Sequence, residues 1–472
     1  MAGISAYGAY VPMTRLALAA SSGRPGKDGG PERAVAYHDE DSVTMAVAAA
    51  VDCLRGVDRA TVDGCFFAST TYPLREKQGA ALIARALDLR RDVRTADFAS
   101  SLRAGTGALQ AALDAVAAGS ARCVLVLASD SRLGAPRGGL EAKLGDGAAA
   151  LLVSERDAIL ALEGAFSVAD EIQDLWRTEG DRFTHSWEDR FVVEEGYTPV
   201  VLEAVKGLFE KTGRAPADFA RAALYAPDQR SQAALAKRLG LRPEQLQDPL
   251  FGRLGNTGAS FALLLLCAAL ETARPGERLL VASYGDGADA LAFQATEHLE
   301  KLAPRRGVSW HLARRRPLKS YDSYLRARGL EPREWQAGTD PGLSATIHFR
   351  DRDTDIGLIA GRCVACGLIH LPQPRVCYRC HAKDRFEPYR LSDKRGRLLS
   401  YTFDYFFPAA EPPTIMVMTE VEGCRLHVQL ADATPDQVRL ELPVEYVFRK
   451  IHDAGGKPNY FWKASPILEE TK

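Results

Sequence analysis

AGTGALQAAL, residues 104–113, and GNTGASFALL, residues 255–264, both place a Thr-Gly-Ala at the start of an apolar helical run. Each leads into an apolar strand, CVLVLAS at 123–129 and LLVAS at 279–283. Each strand precedes a Gly-Asp-Gly, at 145–147 and 285–287, and a second apolar run, AAALLVS and ALAFQA. Alanine-rich helices resemble one another by chance, but the doubled Gly-Asp-Gly does not follow from composition. Two βα halves in the same order imply an internal duplication, about residues 1–160 and 161–300, in an α/β fold. Helices are expected over Ala108–Ala118 and Gly258–Thr272.

Length sets the scale for the rest. At 472 residues the chain holds two or three domains, and 46% hydrophobic with 26% charged residues is ordinary globular composition. A formal net charge of -1 provides no basic field for nucleic acid. No apolar run reaches the length of a membrane span and no signal-peptide pattern opens the sequence, so a soluble, cytoplasmic protein is expected.

GRCVACGLIHLPQPRVCYRC, residues 361–380, carries Cys363, Cys366, Cys377 and Cys380 as C-x2-C-x10-C-x2-C. Two such knuckles bring four thiolates to the corners of a tetrahedron, which suits a structural zinc ion with no open position for substrate. The other five cysteines are scattered singly, mostly in apolar runs, and read as small buried hydrophobes in a reducing compartment.

Residues 301–345 have no partner in the first half and read as a linker and docking segment. Residues 346–390 carry the zinc ribbon. In 391–472, LLSYTFDYF, TIMVMTEV, RLHVQLA and LPVEYVFRKI alternate apolar and polar residues between turns, as in a small OB-type β-barrel. Its aromatic residues Tyr401, Phe403, Tyr405, Phe406 and Phe407 lack interleaved basic residues, which argues against a nucleic-acid groove.

The first 300 residues resemble the thiolase superfamily, and within it 3-hydroxy-3-methylglutaryl-CoA synthases. The resemblance rests on AYHDEDSVTMAVAAA (36–50), DEIQDLWRTEGDRF (170–183), LAKRLGL (235–241), RLGNTGAS (253–260) and GERLLVASYGDGADALAF (276–293). It implies a duplicated thiolase-like βαβαβαββ core in α-β-α-β-α layers, and pairing of two such chains as a homo- or heterodimer. The last third resembles the zinc-ribbon/OB-fold proteins that accompany acyl-CoA enzymes, which implies a thiolase-family partner. The implied substrate is a coenzyme A thioester.

The resemblance also implies a nucleophilic cysteine, a histidine and a glutamate. Aligned on AGT, FASSLRAGTGAL puts Leu102 at the cysteine, with Ser101 beside it. Tyr225 stands for the histidine and Thr70 for the glutamate; Asn256 of GNT is retained. By position, Trp176 and Arg177 border the acyl or CoA pocket, and Ser283 and Gly285 lie where a thioester oxygen would be held. Leucine cannot be acylated, and Ser101 lacks an evident base, since an ordinary tyrosine pKa near 10 is too high. Two readings follow. In one, the chain is a subunit whose thiolase partner carries the cysteine chemistry. In the other, Tyr225 serves as base in a cysteine-independent retro-aldol cleavage of a β-hydroxyacyl-CoA.

Overall fold

A computed structural model gives the architecture and describes residues 2–24, 26–27, 29–331, 344–406 and 409–467. The chain forms two compact units, one mainly of residues up to Tyr324 and one mainly from Leu325 onward.

The first unit is organised by a nine-stranded sheet. Its strands are β1 (Gly3–Tyr10), β2 (Gly64–Ala68), β3 (Arg94–Phe98), β4 (Cys123–Ser131), β5 (Asp146–Ser154), β6 (Leu160–Ala169), β7 (Arg221–Leu224), β8 (Arg278–Tyr284) and β9 (Gly287–Ala295). The spatial order is β7-β8-β9-β6-β1-β5-β4-β2-β3. Outward from β1, β5 is antiparallel, β4 antiparallel to β5, and β2 parallel to β4. Outward from β6, β9 is antiparallel, β8 antiparallel to β9, and β7 parallel to β8. The duplication expected from the doubled motifs is thus present in strand order and direction. The halves join where Gly3 faces Ala161 and Ile4 faces Leu160. A Cβ on Gly3 would lie 2.3 Å from the Leu160 carbonyl oxygen, so the join requires glycine.

The halves differ at their outer edges. β3 extends the first half beyond β2. Beyond β7, among the described residues, there is only an isolated bridge, Ala222 to Leu246.

Four helices cover the strands: α1 (Ser42–Cys53), α2 (Ala104–Ala117), α3 (Thr198–Thr212) and α4 (Phe261–Leu270). α1 starts at a capping box: the Asp41 side chain accepts from the Val43 and Thr44 N–H groups, and the Thr44 hydroxyl oxygen accepts from the Asp41 N–H. α4, FALLLLCAAL, is buried at every position but Ala268, as suits a helix apolar on all faces. It packs on β5 of the first half and on β7 and β8 of the second. A tight turn at Gly258–Ser260 precedes it, so the helix expected from Gly258 begins three residues later.

Within the segment expected as a linker, the helix Gly307–Ala313 and the short strand Arg316–Pro317 belong to the first unit. Arg316 pairs there with Thr14. Residues 332–343 lie outside the described residues.

The second unit contains a three-stranded sheet, β11-β10-β12, of β10 (Ile359–Cys363), β11 (Ile369–His370) and β12 (Phe386–Arg390). It also contains a five-stranded sheet of β13 (Gly396–Asp404), β14 (Thr414–Val421), β15 (Cys424–Gln429), β16 (Pro443–Ala454) and β17 (Lys457–Pro466), in the order β15-β14-β13-β16-β17. A bridge between Leu430 and Ala464 links the two ends of this order. The sequence patterns locate β13 to β16. They miss β17, KPNYFWKASP, because its consecutive residues Trp462 to Pro466 are all buried and no polar alternation shows.

Candidate active site and thiol cluster

The positions singled out in the sequence lie at strand ends and helix starts of the first unit, where α/β folds hold ligands. Leu102 is buried just ahead of α2. Ser100, two residues earlier, has φ +65°, an uncommon conformation for a side-chain-bearing residue that turns the chain sharply from β3 into the helix. The Ser101 hydroxyl donates to the Gly285 carbonyl at 2.9 Å, and Arg103 Nε donates to the same oxygen at 2.9 Å. Arg103 also pairs with the buried Asp289, which accepts from Thr106 and Ser167. The second Gly-Asp-Gly turn is therefore clamped to the start of α2. Gly285 has φ +150°, and a Cβ there would sit 2.8 Å from Leu102 N. Among the described residues, Ser101 has no basic side chain to take its proton; the hydroxyl is committed to a backbone carbonyl.

Thr70 follows β2. Its N–H and hydroxyl both donate to Asp130, at 2.7 and 2.9 Å. Ser69 and Thr71 hydroxyls and the Ala259 N–H donate to the same carboxylate. Asp130, at the end of β4, is fully buried. Motif reading missed it and Arg132. The available signal was an acid and an arginine two apart, directly after a continuous apolar strand.

Tyr225 follows β7 and is buried against Tyr197, Tyr284 and Phe261. Burial raises its pKa, and Asp174 adds to this, while Arg132 and a hydrogen bond with Asn256 oppose it. Tyr225 is therefore a neutral phenol at pH 7, able to donate a proton but poorly suited to abstract one. Asn256 Nδ2 donates to the Ala226 carbonyl at 3.0 Å, and its Oδ1 accepts from the Gly258 N–H at 2.9 Å. Burial pushes Tyr284 far above its ordinary pKa, with Asp174 beside it adding to the shift; burial likewise raises Asp174.

Arg177 reaches this group, donating to the Thr70 carbonyl at 2.5 Å. Trp176 instead stacks on His185, with Trp187 next to it, across a short hairpin. Ser283 is buried in β8, opposite Asp289. Thr70, Asn256, Tyr225 and Arg177 are thus linked through Asp130 and the 256–259 turn, whereas Trp176 and Ser283 make no contact with them in the hydrogen bonds and ring contacts described.

Cys53, Cys65, Cys123 and Cys267 are buried, and burial raises each pKa, Cys65 to about 12 and Cys123 to about 11. A separate cavity of about 510 Å³ is lined by Arg24, Lys27, Arg137, Lys319 and Tyr321 among others. None of Thr70, Leu102, Tyr225 or Asn256 lines it.

In the second unit, the sulfur atoms of Cys363, Cys366, Cys377 and Cys380 lie within 4.8 Å of one another. Cys363–Cys380 and Cys366–Cys377 are each 3.6 Å apart, far beyond disulfide length. Tetrahedral ligation with bonds of about 2.3 Å puts sulfurs roughly 3.8 Å apart, so the donor set fits zinc. The local core is only Cys363, Leu368 and Cys377, with Cys366, Ala382 and Phe386 against it.

Residues 209–294 match the family model described as 3-oxoacyl-[acyl-carrier-protein] synthase III C terminal. The hydroxymethylglutaryl-CoA synthase of Aeropyrum pernix is 34% identical over 341 residues, covering 70% of this chain and 94% of that protein. That of Pyrococcus furiosus is 33% identical over 338 residues, covering 69% and 95%. The chain belongs to the hydroxymethylglutaryl-CoA synthase family. A solved HMG-CoA synthase in complex with CoA shares the fold with a TM-score of 0.64 at 20% identity, over 72% of this chain and 95% of that one. The family's thiolase-like α/β architecture is therefore that of the first unit.

Proposed function

We propose that this chain binds an acyl-CoA thioester without forming an acyl-enzyme, as the subunit of a complex in which a thiolase-family partner carries the cysteine. The single observation behind this reading is Leu102 at the start of α2. A thiol there would be activated by the helix terminus; leucine offers nothing to acylate. The family relatives are named for work on a CoA thioester, which supports the ligand class. The phosphates of CoA suit the basic cavity lined by Arg24, Lys27, Arg137 and Lys319.

The second unit is read as a zinc ribbon followed by an OB-type barrel. One zinc held by Cys363, Cys366, Cys377 and Cys380 acts as a folding staple and supplies no reaction chemistry. Tyr405 and Phe406, 71% and 98% exposed at the tip of β13, form an apolar surface of the kind that docks a protein; Phe407 lies outside the described residues. β3 is an open sheet edge and a natural surface for pairing, either with a second copy or with the thiolase. Nothing in charge or motif calls for nucleic acid, and among the described residues no helix is long and apolar enough to cross a membrane. The expected compartment is the cytoplasm.

The retro-aldol reading keeps support from the Tyr225–Asn256 hydrogen bond, but the raised pKa changes its form. Tyr225 would protonate the thioester enolate, and the phenolate so formed would take the β-hydroxyl proton released as the C–C bond breaks. Intact mass after incubation with acetyl-CoA and longer acyl-CoAs tests the main reading, and no adduct is expected. Pull-down from the native host tests the partner, with a thiolase-family chain expected. An acyl group mapped to Ser101 overturns both readings. Cleavage activity in the isolated chain that is lost in Tyr225→Phe selects the lyase.

A further inference from the structure

Of the nine cysteines, Cys380 alone is exposed, Cys366 is half-buried and the other seven are buried. The two thiols that solvent reaches therefore both belong to the four-sulfur cluster. Cys380 is flanked by Arg379 and His381, which are exposed with it. The thiolate is the form of cysteine that attacks a peroxide, and metal ligation and a neighbouring cation both hold sulfur in that form. Cys363 and Cys377 lie beneath, 1% and 0% exposed, and with Leu368 they make up the local core.

Two sulfur pairs are placed for a further step. Cys363–Cys380 and Cys366–Cys377 are each 3.6 Å apart, and together they use every sulfur once. Both pairs join one knuckle to the other. To reach a disulfide length of about 2.05 Å, each pair closes by roughly 1.5 Å. We propose that the cluster is a peroxide-responsive modification site, at which Cys380 is oxidised first and Cys363 then forms a disulfide with it. This rests on the zinc reading above and goes beyond it, from a staple to a staple that an oxidant can open. The Cys380 thiolate attacks one oxygen of hydrogen peroxide and the O–O bond breaks. The departing hydroxide takes up a proton, leaving a sulfenic acid and water. The Cys363 thiolate attacks the sulfenic sulfur, the S–O bond breaks, and the second hydroxide is likewise protonated to water. The two sulfurs give up two electrons and the peroxide takes them. Cys366 and Cys377 are then two donors where a structural zinc takes four, so the metal is released. A second peroxide joins that pair by the same steps.

The test uses the full chain loaded with zinc, titrated with hydrogen peroxide while a chromogenic chelator reads the metal released. Complete release is expected at two equivalents of peroxide, with peptide mapping showing Cys363–Cys380 and Cys366–Cys377 bridges. Dimedone present during the first equivalent should label Cys380. Dithiothreitol with added zinc should restore the starting protein. Cys380→His keeps four donors with a nitrogen at the exposed corner, and it should retain its zinc through the same treatment. Where that variant takes up no metal, the dimedone label on the parent decides alone. A first label on Cys366, bridges within a knuckle, or equal zinc loss from Cys380→His overturns the proposal. Zinc that stays bound in the oxidised parent also overturns it while leaving the zinc reading intact. A chain that takes up no zinc overturns the zinc reading and the proposal with it.

Discussion

The site around Leu102 and the four-thiol cluster keep opposite halves of what chemistry needs. In the cluster all four donors of the proposed zinc set are present, with their sulfurs within 4.8 Å of one another. Around Leu102, three positions that the family resemblance assigns to chemistry hold Leu102, Tyr225 and Thr70. Around them the polar groups have turned onto the protein itself: Thr70 onto Asp130, Ser101 onto Gly285, Asn256 onto Ala226. A metal staple fails if one ligand is lost, because binding free energy is folding free energy. A catalytic residue can be replaced while the fold persists, because its neighbours supply the packing.

The largest effect that would break this contrast is expected at the cluster. Cys377→Ser should remove the zinc measured by elemental analysis and abolish hydrogen-exchange protection over Ile359–Arg390. The nine-stranded sheet should keep its protection. A metal-free variant with that segment still protected would remove the distinction between the two regions. At the site around Leu102, Asp130→Ala should cost about 3–5 kcal/mol in denaturant unfolding, since five donors are left without an acceptor. Gly105→Ala should cost about 1–3 kcal/mol, because a Cβ there would lie 2.2 Å from the Ala259 carbonyl oxygen. Leu102→Cys should cost about 1–3 kcal/mol, since a buried side chain is shortened. It should nevertheless create a thiol that iodoacetamide and acetyl-CoA modify, seen by intact mass. No labelling at that cysteine would show that the helix start no longer activates a nucleophile.

The fold was legible where the sequence repeats itself. The doubled Thr-Gly-Ala and Gly-Asp-Gly located β4, β5, β8 and β9 with their helices, because each half buries the same strands in the same order. The unmatched edge strand β3, RTADF, was hidden by its partly exposed, mixed composition. The zinc-ligand spacing is local and needs no tertiary knowledge. For the candidate site, the resemblance pointed to positions 102, 225 and 70, because aligning a motif needs no tertiary knowledge. Asp130 and Arg132 were not legible, because sequence carries no record of which donors reach which oxygen. Nor does the sequence show that the Ser101 hydroxyl donates to the Gly285 carbonyl.

The close approach at Gly105 bears on how such a chain changes over time. The start of α2 in the first half meets the turn leading to α4 in the second with no room for a methyl group. Substitution at 102, 225 or 70 alters the chemistry the site can offer. A side chain at 105 acts on both halves of the sheet at once. The molecule thus separates its constraints: a methyl group at 105 meets backbone across the two halves, whereas the side chains at 102, 225 and 70 decide only what chemistry is on offer. A lineage can therefore abandon one reaction and acquire another within the same frame, passing through intermediates that all remain folded.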